Sequence, residues 1–314
     1  MKEIIEIKNL NNEIFVYWIL TDFCNQHCTY CPSSLNLGTY ANSSSSPNDS
    51  DIDLFLDKLI ATQQQTQKRL VVNISGGEPT LHNKFADIIE RLHDCATITV
   101  TTNGARSVGW WQALPKQPQL VILSLHPEYY DSKKLKINQL CEFLKNSGVA
   151  IQFNLMCHPG MWDTVMEIVN DVDDRFKPFI IPKVVQDQDT FNRDMYSYTS
   201  EQLDFIKNYP TKLDSNISWD VQAVYSNGDT NRVIPNTIMA EGLHYFHNWR
   251  CAAGSEGICI YANGEVRAGI CNARLLGTIS NFNLLDEYLT CPRPSCVCPG
   301  DIFLNKYNPK AVLK

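Results

Sequence analysis

Residues 14–31 read IFVYWILTDFCNQHCTYC. The first nine residues, 14–22, are mostly β-branched, aromatic and aliphatic, which is a strand signature. The run leads directly into Cys24, Cys28 and Cys31. Three thiolates in a C-x3-C-x2-C loop can hold three corners of a cubane iron–sulfur cluster. The fourth iron then lacks a protein ligand and is open to a small chelating molecule, as a catalytic metal site requires. The competing reading is zinc, with His27 as nominal fourth ligand. His27 lies between two of the cysteines and is badly aimed for tetrahedral closure.

Outward from this loop, residues 14–210 alternate between short apolar runs and amphipathic stretches. Strands are expected at 14–22, 70–75, 97–102, 120–125, 149–156 and 179–185, and helices at 51–65, 84–94, 107–113, 136–147, 162–172 and 200–208. Asp51 and Asp53 open the first helix, where negative charge meets the positive end of the helix dipole. Asn146-Ser147-Gly148 reads as a helix stop leading into the next strand. Six such βα units imply a parallel sheet, curved as in a partial (β/α)6 TIM-like barrel. In such a fold the chemistry sits at the C-terminal ends of the strands. The Ser-rich stretch 38–50, GTYANSSSSPNDS, reads as a long loop, either a solvated insertion or a lid over the site.

The strand ends carry polar residues. Strand 70–75 runs into Ser75-Gly76-Gly77-Glu78-Pro79. Paired glycines let the backbone approach a ligand closely, and Glu78 offers a carboxylate to an ammonium group. Strand 97–102 runs into Asn103-Gly104, and strand 120–125 carries Ser124 followed by His126. Gln152, Asn154 and Met156 recur at period two and share one face. Such residues either line a cavity or are satisfied buried polar groups. After about residue 215 the alternation stops. The stretches ISWDVQAVYSNGD and ICIYANGEVRAGIC read as hairpins, the second turning at Asn263-Gly264. The division expected is a core domain over 1–215 and a smaller hairpin and helix module over 216–314.

The cysteine loop after the first barrel strand, followed one βα unit later by Gly76-Gly77-Glu78-Pro79, resembles the radical S-adenosylmethionine (SAM) superfamily over about residues 14–210. That resemblance implies a [4Fe-4S] cluster on Cys24, Cys28 and Cys31, with SAM on its open iron. It implies that Gly76–Pro79 bind the SAM amino group and that Tyr30 packs near the adenine, although Tyr30 also fits plain loop packing. It places Asn103, Ser124 and Asn154 near the SAM ribose and carboxylate. It also implies an external reductant such as flavodoxin or ferredoxin.

The chain has twelve cysteines. In a reducing compartment tight cysteine clusters point to metal or iron–sulfur ligation rather than disulfides. Cys251, Cys271, Cys291, Cys296 and Cys298 lie in the C-terminal module, the last three in the proline-stiffened run CPRPSCVCP. This module resembles the SPASM or shorter twitch extension of radical SAM enzymes. Five cysteines suffice for one auxiliary [4Fe-4S] cluster. The spacing departs from the family's, so which four ligate stays open, and a structural zinc site is the competing reading. Cys95, Cys141, Cys157 and Cys259 read as small buried hydrophobes. Cys157 and Cys259 are also candidate hydrogen-atom donors.

A net charge of −7 without clustered cations disfavours nucleic acid and membrane surfaces. No 18-residue apolar run suggests a membrane span, and the N-terminus lacks signal-peptide features, so a cytoplasmic protein is expected. The resemblance implies an enzyme that reductively cleaves SAM to a 5′-deoxyadenosyl radical, which abstracts hydrogen from a substrate carbon. Peptide modification is the leading substrate reading. The alternative is oxidation or epimerisation of a small molecule such as an aminoglycoside, sugar or nucleotide. A non-catalytic iron–sulfur electron carrier or sensor is the rival class, disfavoured because a carrier needs no SAM pocket.

Overall fold

The computed structural model describes residues 3–31, 47–130, 136–185, 196–214, 220–296 and 298–311. Most of the Ser-rich stretch, 38–46, and the point where the alternation was expected to stop lie outside these residues. Along the chain come β1 (Ile4–Lys8), β2 (Glu13–Thr21), α1 (Asp49–Thr66), β3 (Arg69–Gly76), α2 (Phe85–Leu92), β4 (Ala96–Thr102), α3 (Val108–Gln112), β5 (Leu120–Leu125), α4 (Lys136–Asn146), β6 (Ala150–Cys157), α5 (Trp162–Asp171), β7 (Ile180–Val184) and α6 (Ser200–Asn208). Every expected βα element is present within one or two residues of its expected bounds. β1 was not anticipated.

Local chemistry explains several of these bounds. Asn48 caps α1, its side chain accepting from the Asp51 N–H at 2.9 Å. Thr199 and Gln202 form a reciprocal capping box at the start of α6. Gly148, at φ +76°, ends α4 in the left-handed conformation that a Cβ disfavours. α2 buries Phe85, Ile88, Ile89 and Leu92, spaced as one helical face. Each such side chain contributes roughly 1.5–3 kcal/mol on leaving water.

By its contacts the chain divides into two compact units. One comprises Ile19–Asn42 and Asn73–Ser218; the other comprises Met1–Trp18, Ser43–Val72 and Trp219–Lys314. The first unit carries the ends of β2 and β3, then β4 to β7 in sequential order. The pairs β4–β5, β5–β6 and β6–β7 are parallel. The fold is α/β with a mostly parallel sheet that, among the described residues, does not close into a barrel.

The second unit adds β8 (Val221–Tyr225), β9 (Thr230–Val233), α7 (Pro235–Ala240), β10 (Arg250–Cys251), β11 (Gly257–Ile260), β12 (Glu265–Ala268), β13 (Leu275–Thr278), β14 (Asn281–Phe282), β15 (Leu289–Thr290), α8 (Pro299–Ile302) and β16 (Lys306–Tyr307). β1 lies between β8 and β16 in a six-stranded sheet ordered β15-β10-β16-β1-β8-β9. β11 runs parallel to Phe15–Trp18 of β2. These pairings bring the N-terminal residues into the same unit as the C-terminal module. Both expected hairpins form, β8–β9 and β11–β12. The second turns at Gly264, φ +82°, where Tyr261 and Gly264 close the loop. Among the described residues no helix is long and apolar enough to cross a membrane.

Candidate functional site

The cysteine loop leaves β2 and is fastened from two sides. On one side the Gly77 N–H donates to the Thr21 carbonyl and the Glu78 N–H to the Phe23 carbonyl, both at 2.7 Å. A Cβ on Gly77 would stand 2.1 Å from the Phe23 oxygen, and one on Gly76 2.3 Å from the Thr21 oxygen. The glycine pair thus admits the backbone of the cysteine loop itself. On the other side, the residues after β5 hold the loop. The Thr29 N–H donates to a Glu128 carboxylate oxygen at 2.9 Å, and the His27 N–H to the Tyr129 hydroxyl at 2.7 Å.

Within the loop, Cys28 is buried, and Cys24 and Cys31 are half-buried. Two N–H groups point at the Cys24 sulfur: the Gln26 backbone at 3.4 Å and the Asn103 amide at 3.8 Å. Burial is the main cause that raises all three thiol pKa values, Cys28 to about 12 and Cys31 to about 11. Binding iron would reverse this, because a coordinated thiol is deprotonated outright. Three thiols on one short loop, with two N–H donors to the Cys24 sulfur, suit a cluster with three protein corners. His27 is exposed.

Tyr30 is buried beside Cys28 and Val185, with Cys31, Tyr129, Met156, Tyr196 and Tyr198 packed around them. Its hydroxyl lies 3.0 Å from His126 Nδ1, and the two rings stack at 6.0 Å. His158 adds a third ring, 5.8 Å from Tyr30. Burial lowers the His126 pKa to about 4, against the pull of Glu128, so the imidazole is neutral at pH 7. Of these, Glu128, His158 and the tyrosines after Val185 were not anticipated. They are scattered over three loops, and no motif spacing marks them.

Glu78 is fully buried. One carboxylate oxygen accepts from the Thr80 N–H (3.1 Å), the Thr80 hydroxyl (2.6 Å) and the Thr102 hydroxyl (2.7 Å); the other accepts from the Asn103 N–H (2.7 Å). Burial raises its pKa and these bonds oppose the rise. Pro79 is buried beside it.

One face of the parallel strands is polar. Ser124 and Asn154 are directly paired across β5 and β6, and Met156 pairs with Lys183 of β7. The Gln152 amide donates to Asn154 at 3.2 Å, and Asn73 donates to Thr99 at 2.7 Å. Ser124 and Asn154 stay half-exposed, whereas Gln152, Asn73 and Thr99 are buried. Among the other cysteines, Cys141, Cys157 and Cys259 are buried as expected; Cys95 is half-exposed beside the end of α2.

In the second unit, Cys251 ends β10 opposite Lys306 of β16. Cys271 follows β12, its N–H donating to the buried Asp301 carboxylate, which also accepts from Ile270 N–H at 2.7 Å. The Cys291 N–H donates to the Trp249 carbonyl at 2.7 Å and that of Cys296 to the His244 carbonyl at 2.8 Å. The Arg293 guanidinium ties this run to the Cys271 and Asn272 carbonyls, at 2.9 and 3.2 Å. Burial raises all four thiol pKa values. Cys291 acts on Cys251, Cys251 and Cys296 act on Cys271, and Cys251 acts on Cys296. Cys298 starts α8 and acts on Cys259 and Cys296. Among the described residues no three Cys, His, Asp or Glu side chains converge as a single-ion site.

The family model described as the radical SAM superfamily matches residues 18–177. A GTP 3′,8-cyclase of Shewanella denitrificans is 36% identical over 121 residues, 35% of this chain and 33% of that protein. A GTP 3′,8-cyclase of Pectobacterium atrosepticum is 34% identical over 99 residues, 30% of this chain and 29% of that one. The match thus spans about a third of the length of these curated relatives. Among solved structures, native anSMEcpe with bound AdoMet gives a TM-score of 0.52 at 15% identity, covering 86% of this chain and 78% of that one. Streptococcus suis SuiB bound to S-adenosylmethionine gives 0.53 at 13%, covering 86% and 64%. At these identities the two structures are likenesses of fold.

Proposed function

The chain belongs to the radical SAM superfamily, and we propose that Cys24, Cys28 and Cys31 hold the [4Fe-4S] cluster with which it cleaves SAM. The observation that carries this reading is the loop after β2, which bears all three thiols and in which two N–H groups aim at the Cys24 sulfur. Such a cluster, once reduced by an external donor, would supply the one electron needed to split SAM into methionine and a 5′-deoxyadenosyl radical able to take hydrogen from an unactivated carbon. The protein's part is positional. Gly76, Gly77 and Pro79 shape the turn against which SAM lies. Glu78 holds that turn to Asn103. Tyr30, with His126 and His158, provides aromatic surface for the adenine. Asn103, Ser124 and Asn154 present polar groups to the ribose and carboxylate.

The polar strand face from Asn73 to Asn154 supports a hydrogen-bonding substrate. The likeness to GTP 3′,8-cyclases favours a small polar molecule, a nucleotide among the candidates. Peptide modification is the second reading, supported by the resemblance of the C-terminal module to SPASM and twitch extensions. For that module we assign one auxiliary [4Fe-4S] cluster to Cys251, Cys271, Cys291 and Cys296. The Arg293 guanidinium, which ties the run from Cys291 to Cys296 to the Cys271 carbonyl, and the pairing of Cys251 with Lys306 support this set.

Anaerobic incubation of the reconstituted protein with dithionite and SAM tests the reading. The expected product is 5′-deoxyadenosine, absent from Cys24→Ala, Cys28→Ala and Cys31→Ala. Undiminished product from any of the three removes that cysteine from the site. Added GTP that raises turnover supports the nucleotide reading, and a peptide that does so instead supports the second.

A further inference from the structure

Lys306 is an unusual residue to find where it is. It is 2% exposed, and lysine is rarely fully buried without a partner. Its ammonium donates to the Asp301, Ile302 and Leu304 carbonyls at 2.7, 3.0 and 2.6 Å. All three N–H bonds of an ammonium are thereby used. Among the described residues it forms no direct ion pair, and the one buried carboxylate that feels its charge, Asp301, is itself bonded to the Ile270 and Cys271 N–H groups. It also lies over the Phe246 ring, 5.4 Å from the centroid.

The position of this cation matters more than its existence. Lys306 pairs directly with Cys251 across β10 and β16. Side chains of directly opposed residues share a face with Cβ atoms about 4.5–5.5 Å apart. The carbonyls that hold the ammonium come from residues 301–304, and Asp301 there also receives the Cys271 N–H. The same few residues thus connect a fixed cation to two of the four assigned thiols. The charge of Lys306 reaches Cys251, Cys291 and Cys296 through a low-dielectric interior.

We propose that Lys306 tunes the auxiliary cluster, its fixed positive charge raising the cluster's reduction potential. This rests on the assignment of that cluster to Cys251, Cys271, Cys291 and Cys296. Reduction adds one negative charge to the cluster, and a nearby cation favours the more negative state. Net charge and hydrogen bonding around the sulfurs are established levers on such potentials. The buried Asp301 carboxylate works in the opposite sense where it is ionised; burial raises its pKa, and the Ile270 and Cys271 N–H groups and Lys306 oppose that rise. Lys306 is a tuning and positioning residue, since its own contacts are to backbone carbonyls.

The test is a redox titration of the full chain with both clusters loaded, dithionite as reductant and SAM present, followed by electron paramagnetic resonance. SAM perturbs the signal of the cluster it binds, so the SAM-insensitive signal reports the auxiliary cluster. Lys306→Gln keeps N–H donors for the carbonyls and removes the charge; its midpoint should fall below the parent's with iron content unchanged. Lys306→Arg keeps the charge and should titrate with the parent. A Lys306→Gln midpoint equal to the parent's, at full iron content, overturns the proposal. Loss of auxiliary iron from both variants makes Lys306 a structural residue and overturns it as well. Parent protein that holds zinc in this module, with only the N-terminal cluster's iron, instead overturns the auxiliary cluster itself. Metal analysis separates that outcome from the others before any titration.

Discussion

The Glu78 carboxylate faces four donors, and only two of them can turn. The Thr80 and Thr102 hydroxyls can rotate to accept, but the Thr80 and Asn103 N–H groups cannot. Glu78→Gln replaces one acceptor oxygen with a donor NH2. At least one buried N–H then loses its partner or faces another donor. Such a loss costs about 1–3 kcal/mol. The expected outcome is a melting temperature lowered by a few degrees, with the SAM dissociation constant unchanged and iron content intact. A dissociation constant raised tenfold or more at the parent's melting temperature would instead place Glu78 in direct contact with SAM. The motif suggested that contact, because a carboxylate beside paired glycines fits an ammonium ligand equally well in sequence. The direction in which the carboxylate points is set by Thr102 and Asn103, 24 and 25 residues further on. No local pattern reports such a pairing.

Among the elements, β2 and β3 meet through the glycines, and this junction decides whether the cysteine loop can form. Gly77→Ala places a Cβ where the Phe23 carbonyl stands, a contact with backbone that no rotamer relieves. The loop must shift, and with it Cys24 and the two N–H groups aimed at its sulfur. The variant is expected to lose about four irons, one cubane's worth, and all 5′-deoxyadenosine formation. Retention of full iron and activity would show that the close approach is dispensable. The helices and strands of the βα series were legible because each repeats its apolar residues at its own period. The start of α1 and the end of α4 were also legible, through Asp51 and Asp53 and through Gly148, whereas the caps Asn48 and Thr199 were not anticipated. Nor was β1. Its Ile-Ile-Glu-Ile-Lys is five residues long, and its partners are residues 221–225 and 306–307. A short strand whose ladder is supplied from the far end of the chain has little signature of its own.

For the molecule as a whole, iron content discriminates between the readings because the two cysteine sets lie in different compact units. Each set is held within its own unit by its own strands: Cys24, Cys28 and Cys31 beyond the end of β2, and Cys251, Cys271, Cys291 and Cys296 around β10, β12 and β16. Loss of one set should therefore leave the other folded and loaded. Anaerobically reconstituted protein is expected to hold about eight irons, four per cubane cluster. With Cys24, Cys28 and Cys31 all changed to Ala, about four should remain. With Cys251, Cys271, Cys291 and Cys296 all changed to Ser, about four should again remain, and SAM cleavage should persist. Cys298→Ser alone should keep about eight, since Cys298 lies outside the assigned four. A drop to about four in that single variant would move Cys298 into the ligand set and displace one of the others. Zinc in place of iron in the first triple variant would make the C-terminal module a structural zinc site. The catalytic assignment would survive that result, because the proposed 5′-deoxyadenosine formation uses the N-terminal thiols alone.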